Sequence, residues 1–334
     1  MKGMRKSWII LFALLGLLSE MRGQQQPLYS QYMLDKFLVN PAYAGATGMT
    51  SINLISRIDY VGFTRPPETF ALNIQGRLLE DSYILRALRI RRKTERKSRS
   101  GRVGLGASVF TDRNGIISKT GFQGTYAYHV NLKNLWQLSG GLNFLGYQYR
   151  IDDQNVPYND PGDPLIEATD KTFFVADASA GILLSNGKFF TGFSMNDLFG
   201  SLIKLDQDVY GNYEMLRKYS LISGYKFSLS SKLALEPSIL LQGTRTNWAF
   251  DFSTRLSVLD SFWAGLSYRS NKSVVVMLGG RYEMFYLGYA YDINMGLVQT
   301  YTSGSHEFIL GVRLGENNAR RVRWFRQQER NYDF

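Results

Sequence analysis

The sequence contains no cysteine. Disulfides, thiolate metal sites and catalysis by a cysteine nucleophile are therefore excluded. It has two histidines, His129 and His306, too few for a His-rich metal site. Proline is scarce, at 8 residues. Beyond the first two dozen residues, no run approaches the about 18 consecutive apolar residues of a membrane-spanning helix. What is plentiful is aromatic and small: 21 Tyr, 21 Phe and 32 Gly among 334 residues, with a net charge of +11.

Residues 1–23 have the form of a secretory signal peptide. Lys2, Arg5 and Lys6 precede the apolar run "SWIILFALLGLLS", which suits an h-region and is too short to span a membrane. A mature chain is expected to begin at about Gln24. Losing Lys2, Arg5, Lys6, Arg22 and Glu20 would take the net charge from +11 to +8. An exported chain rich in Tyr and Gly suits either a soluble periplasmic β protein or an outer-membrane barrel.

Period-2 alternation then dominates the chain, as strands require. In "SKTGFQGTYAYHV" Phe122, Tyr126, Tyr128 and Val130 share one face, and Gln123, Thr125, Ala127 and His129 the other. Fourteen such segments fall near 49–60, 67–77, 101–111, 118–130, 135–149, 171–184, 188–196, 215–229, 232–243, 247–258, 261–270, 272–282, 283–293 and 304–314. Most run about 10 residues, the length of a tilted membrane strand. A soluble sandwich would also alternate. However, the polar faces here carry Gly, Ser, Thr and Asn, which suits a crowded barrel interior. Aromatics also recur near strand ends, at Tyr60, Phe70, Tyr147, Tyr149, Tyr268, Tyr282 and Phe285, where interfacial girdles sit. The expected fold is all-β: a transmembrane outer-membrane barrel of about 14 antiparallel strands over 49–314.

An even strand number puts both barrel termini on the periplasmic side. The connections on that side are then mostly tight, at 131–134, 186–188, 230–232 and 259–261. The longest, at 150–170, 197–214 and 294–303, face outward, as is usual for such barrels. The exception is a long periplasmic link at 78–100. With its flank it carries Arg86, Arg89, Arg91, Arg92, Lys93, Arg96, Lys97, Arg99 and Arg102 against one acid, Glu95. It reads either as a solvated loop or as a docking surface for anionic headgroups or an acidic periplasmic protein. A basic tail, 315–334, sets Trp324 and Phe325 among Arg320, Arg321, Arg323 and Arg326. It fits a docking peptide, or a tail folded back over the barrel mouth. Nucleic acid is a poor partner for an exported membrane protein.

No constellation looks catalytic, and no cofactor is expected. "GLGASVF" lies in a strand with no following helix, so it is not a dinucleotide loop. Asp160 and Asp163 in the outward 150–170 loop could ligate calcium, although turn chemistry explains the same residues. His129 is expected to be a satisfied structural residue. Arg57, Arg77, Asp251, Arg255, Arg269 and Arg281 face the lumen; they could tune a pore or pair across a packed interior.

The N-terminal segment 24–48 is oddly apolar for a tail. Ser30 could cap a short helix running to about Val39, ended by Asn40-Pro41. Tyr32, Met33, Phe37 and Leu38 would be its packing face, set into or across the periplasmic mouth. "PLYSQYM", with Tyr29, Ser30, Gln31, Tyr32 and Met33, is followed by "NPAYAG", with Asn40, Pro41, Ala42, Tyr43 and Gly45. Together with the closing "SGSHEFILGVRL" at 303–314, these resemble the signatures of the PorP/SprF family of the Bacteroidota type IX secretion and gliding machinery. The resemblance implies a non-enzymatic outer-membrane barrel subunit. It implies association with periplasmic ring lipoproteins and other type IX components, and support for secretion or surface attachment of cargo or adhesins. A substrate-specific diffusion channel, porin-like or FadL-like, is the alternative.

Overall fold

The computed structural model describes residues 29–78, 102–133, 136–151, 172–200, 202–203, 213–214, 216–295 and 297–314. Residues 1–28, the basic link and the basic tail lie outside them. With them go Arg86, Arg89, Arg91, Arg92, Lys93, Arg96, Arg321, Arg323, Trp324 and Phe325, and most of the 150–170 loop with Asp160 and Asp163.

The wall begins with β1 (Thr50–Ile58), β2 (Glu68–Leu78), β3 (Val103–Asn114), β4 (Ile117–Asn131), β5 (Gln137–Ile151), β6 (Thr172–Ser185) and β7 (Phe189–Asn196). Two-residue strands β8 (Leu202–Ile203) and β9 (Tyr213–Glu214) pair with each other outside the wall. The wall continues through β10 (Lys218–Tyr225), the short β11 (Phe227–Ser228), β12 (Leu233–Gly243), β13 (Trp248–Val258) and β14 (Phe262–Arg269). It ends with β15 (Ser273–Tyr282), β16 (Phe285–Asn294) and β17 (Ser305–Leu314). Successive long strands of the wall pair antiparallel, and the short β11 pairs with β12 alone. β10 reaches across to β12, and β1 pairs with β17 from Thr50↔Leu314 to Ile58↔His306. The result is a closed barrel of fourteen long strands, one for each expected segment. The segment expected at 215–229 is interrupted at Lys226, which splits β10 from β11.

The alternation sorts side chains as a membrane barrel requires. On β2, Phe70, Leu72 and Ile74 are exposed to the outside, while Thr69, Ala71 and Asn73 are buried in the lumen. β4 does the same with Phe122, Tyr126, Tyr128 and Val130 against Thr125, Ala127 and His129. The exposed apolar bands of all the strands make one lipid-facing belt. Closure leaves no free sheet edge to satisfy in lipid. At the end where β1 begins and β17 finishes, here called the proximal mouth, the connections are tight apart from the long link between β2 and β3. The β13–β14 turn places Leu259 and Asp260 at φ 55° and 53°, the paired positive angles of a type I′ hairpin, which twists with its strands.

Two aromatic assignments change. Tyr147 and Tyr149 are not girdle residues. Their parity on β5 turns them inward, where they bury against Val175 with Phe110 and Phe173 beside them. Phe70, Tyr268, Tyr282 and Phe285 do face outward.

The core of the molecule lies inside the barrel and is built on residues 29–48. Tyr32, Met33, Phe37, Val39, Ala42 and Tyr43 bury against wall residues including Leu183, Ile222, Leu240 and Met277. Tyr29, Leu34 and Leu38 pack on Ile55, Ala71, Tyr286 and Ile309. No continuous helix runs from Ser30 to Val39. The helical part is two 3₁₀ turns, Lys36–Leu38 and Pro41–Tyr43. A segment this short cannot hold an α-helix by itself, and here tertiary bonds claim its polar groups.

Candidate functional site: the lumenal segment

The segment enters the barrel near the distal ends of the strands and leaves at the proximal mouth. Its passage can be followed from residue to residue. At the distal end, the Glu307 carboxylate of β17 accepts the backbone N–H of Ser30 at 2.7 Å and of Gln31 at 2.8 Å. Ser30 Oγ donates to Asp292 at 2.7 Å and accepts from Arg269 at 3.0 Å. Ser30 is thus the centre of an ionic cluster, not a helix cap. Arg57 pairs with Asp59, with Asp292 at 2.8 Å and with Glu307 at 3.1 Å. Arg269 pairs with Asp251 and Asp292, each at 2.7 Å. Such buried charges are tolerated only because each is paired and hydrogen-bonded.

Midway, Tyr32 Oη meets Ser238 Oγ at 3.0 Å. Asp35 is buried and accepts from Asn53 Nδ2 at 2.7 Å and Asn73 Nδ2 at 2.8 Å, two residues directly paired across β1 and β2. Burial pushes its carboxyl above the ordinary carboxylate range, and the two amide hydrogen bonds offset part of that rise. Lys36 Nζ lies 2.9 Å from Glu236, whose other oxygen holds Arg255 at 2.6 Å. Burial pulls the Lys36 ammonium below the usual lysine range, while Glu236 draws it back. The same ammonium sits 3.9 Å from the Phe190 ring centroid.

Asn40 explains the "NPAYAG" half of the signature. Its Oδ1 accepts the Ala42 N–H at 2.9 Å and so caps the second 3₁₀ turn, with Pro41 at the first position. Its Nδ2 donates to the Ile182 carbonyl at 3.0 Å and the Phe193 carbonyl at 3.1 Å, so one side chain grips both β6 and β7. Ser194 Oγ donates to the Val39 carbonyl at 2.8 Å. Near the proximal mouth His129 Nε2 bonds the Ala44 carbonyl at 2.9 Å, and its Nδ1 bonds Ser139 at 2.7 Å. His129 is a satisfied structural residue, as expected. Arg77 donates to the carbonyls of Gly45 at 2.9 Å and Ala46 at 3.2 Å.

A groove of missing side chains receives the segment. A Cβ on Gly106 would lie 2.6 Å from Phe37, and one on Gly192 would lie 2.8 Å from the Asn40 amide. Cβ atoms on Gly104, Gly141, Gly181 and Gly288 would overlap Ala44, the Pro41–Ala42 backbone, Asn40 and Gln31 respectively. Gly45 is required twice over: φ is +67°, and a Cβ would stand 2.8 Å from the Gly76 carbonyl oxygen.

Every signature residue from Tyr29 to Gly45 therefore lies in the lumen, and the two quoted terminal motifs touch each other through Ser30, Gln31 and Glu307. Arg57, Arg77, Asp251, Arg255 and Arg269 serve the packed interior. Asp35, expected to be exposed or hydrogen-bonded, is buried and hydrogen-bonded. Lys36, Asn53, Asn73, Glu236 and Asp292 were not singled out from sequence; strand period gives the last four their inward face, but their partners lie far off in the chain. His306 is held by Tyr289, with Nδ1 at 2.7 Å from Oη.

A closed antiparallel barrel with a lipid-facing apolar belt and a filled lumen defines a β-barrel membrane protein. The chain belongs to the PorP/SprF family of type IX secretion system membrane proteins, whose family model matches residues 21–312. It is an outer-membrane barrel of that secretion system. Among solved structures it is similar to the Ralstonia pickettii toluene transporter TbuX, at 9% identity and a TM-score of 0.47, covering 85% of this chain and 92% of that one. It is also similar to the CymD monoaromatic hydrocarbon channel, at 12% identity and a TM-score of 0.45, covering 87% and 93%. No curated protein matches the chain.

Proposed function

We propose that the chain is a sealed, non-enzymatic scaffold barrel of the type IX machinery. Its periplasmic face links ring lipoproteins to the outer membrane, and its outward face supports secretion or surface attachment of cargo or adhesins. One observation carries this reading: residues 29–48 occupy the lumen and are bonded to strands on all sides of it. An open diffusion channel would need that path free. The ionic cluster of Arg57, Asp292, Glu307 and Arg269 is engaged with the segment at Ser30. The proximal mouth is the periplasmic one by the turn-length habit of outer-membrane barrels. The basic residues Arg89, Arg91, Arg92 and Lys93 then supply a docking charge for periplasmic partners, after cleavage of the leader near Gln24.

Two measurements test this. Purified protein in planar bilayers should give no large steady conductance; a stable open pore would sink the sealed-scaffold reading in favour of a diffusion channel. Co-purification from native membranes should recover periplasmic ring components, and charge reversal of those four basic residues to Glu should lose them. Unchanged recovery would remove the docking role.

A further inference from the structure

A cavity of about 200 Å³ lies in the distal half of the lumen, between the lumenal segment and the wall from β2 to β10. The segment itself makes its apolar floor, through Phe37, Leu38, Val39 and Pro41. Phe110 and Tyr147 stand at one side, their ring centroids 6.4 Å apart and their planes tilted by 53°.

The polar lining is incompletely used. Ser108 and Ser179 are 4% and 3% exposed, and neither hydroxyl has a hydrogen-bond partner among the described residues. Both serines line the cavity, so their hydroxyls are open to whatever fills it. Thr125 donates to Asn143 Oδ1 at 3.0 Å, and Asn143 donates to Gln123 Oε1 at 3.1 Å. That relay ends at the cavity with Gln123 Nε2 still free to donate. Four charges complete the lining, Lys119 and Lys218 with Asp112 and Asp197. They balance, so the cavity selects neither anion nor cation.

We infer that this cavity is a binding site for one small, uncharged ligand bearing hydroxyl and amide groups, of the N-acetylated hexose class, entering from the distal mouth. Each feature of the lining asks for part of such a molecule. The aromatic pair and the apolar floor take the C–H face of a ring. Ser108 and Ser179 take its hydroxyls, and Gln123 donates to its amide carbonyl. A hydrocarbon would leave both serines unpaired, and the volume is below the about 300–1,000 Å³ that drug-sized ligands occupy. Water would satisfy the serines but would leave the floor wetted. The inference does not rest on the secretion role, since a sealed scaffold and a channel could each carry the site.

The test uses the full chain in a sugar-free detergent and N-acetylglucosamine as the probe, read by saturation-transfer NMR. The wild type should give a saturable signal. Ser108→Ala and Ser179→Ala, which delete one hydroxyl each at nearly constant shape, should each weaken binding roughly 2- to 10-fold, the equivalent of one hydrogen bond. Ser179→Leu should abolish it by filling the cavity. Heat-modifiable gel migration confirms that each barrel is closed. If Ser179→Leu does not close, the two alanine variants still decide. No saturable signal in the wild type overturns the inference. Unaltered affinity in the alanine variants overturns it too, as does displacement of the sugar by a short apolar peptide at lower concentration.

Discussion

Replacing Asn40 separates two roles that its side chain plays together. Asn40→Ala removes the cap acceptor of Ala42, a loss of about 0.5–2 kcal/mol in comparable caps. It also strips two donated bonds from the Ile182 and Phe193 carbonyls, at about 0.5–1.5 kcal/mol each. The sum is about 3 kcal/mol. Asn40→Asp is the sharper change. Aspartate caps as well as asparagine, so a residue needed only as a cap would tolerate it. Here the carboxylate would keep the bond to Ala42 but turn an oxygen toward two carbonyl oxygens in a fully buried place. The loss at pH 7 should then be at least as large as for Asn40→Ala. Burial and carbonyl repulsion would raise the folded-state pKa of this carboxyl above its unfolded value of about 4. With the folded pKa the higher one, the unfolded chain ionises first as pH rises. Stability of the variant relative to wild type is therefore best below about pH 4 and is lost as pH climbs through the folded pKa. Guanidinium unfolding in micelles at pH 4 and pH 7, followed by tryptophan fluorescence, measures both. An Asn40→Asp variant within about 0.5 kcal/mol of wild type at pH 7 would refute the assignment of the amide to β6 and β7.

Gly141→Ala places a methyl against the Pro41–Ala42 backbone and should cost about 1–3 kcal/mol, seen as protease cleavage within 29–48 in a barrel whose gel migration is unchanged. Glu307→Gln keeps the shape but leaves one of the Ser30 and Gln31 amides facing a donor and Arg57 short of a partner; unfolding should lose about 3 kcal/mol, and a loss under about 1 kcal/mol would remove Glu307 as the anchor. Tyr32→Phe deletes the bond to Ser238 at nearly constant shape, so its effect should stay near about 1 kcal/mol by the same unfolding measurement.

The wall was legible because period 2 is a local property. Each strand announces its two faces through residues such as Phe122 and Thr125, and tight turns limit where it can end. Parity fixes the face but not the reason for it. Tyr147 and Tyr149 look like girdle residues by position, and only counting inward from Asn143 along β5 turns them into the lumen. The interior was less legible because its bonds join residues far apart in the chain. Ser30 resembles a cap in sequence, yet the acceptors near it, Asp292 and Glu307, outcompete a helix that four apolar side chains could not hold. The apolar character of residues 29–44 announced a burial site. Where that site lay, down the whole lumen and not only at its mouth, depended on glycines of strands distant in the chain, such as Gly104 and Gly288.

Arg57 and Glu307 stand directly opposite each other in the β1–β17 pairing. That pairing joins the first strand to the last, and both side chains grip Ser30 from it. The barrel's final seam and the seating of its filling are thus completed by the same handful of atoms. A wall that closed without the segment would leave Arg57, Asp292 and Glu307 without the serine and the two backbone amides that complete their bonding. The joint that makes the wall whole is therefore also the place where it registers whether it is filled.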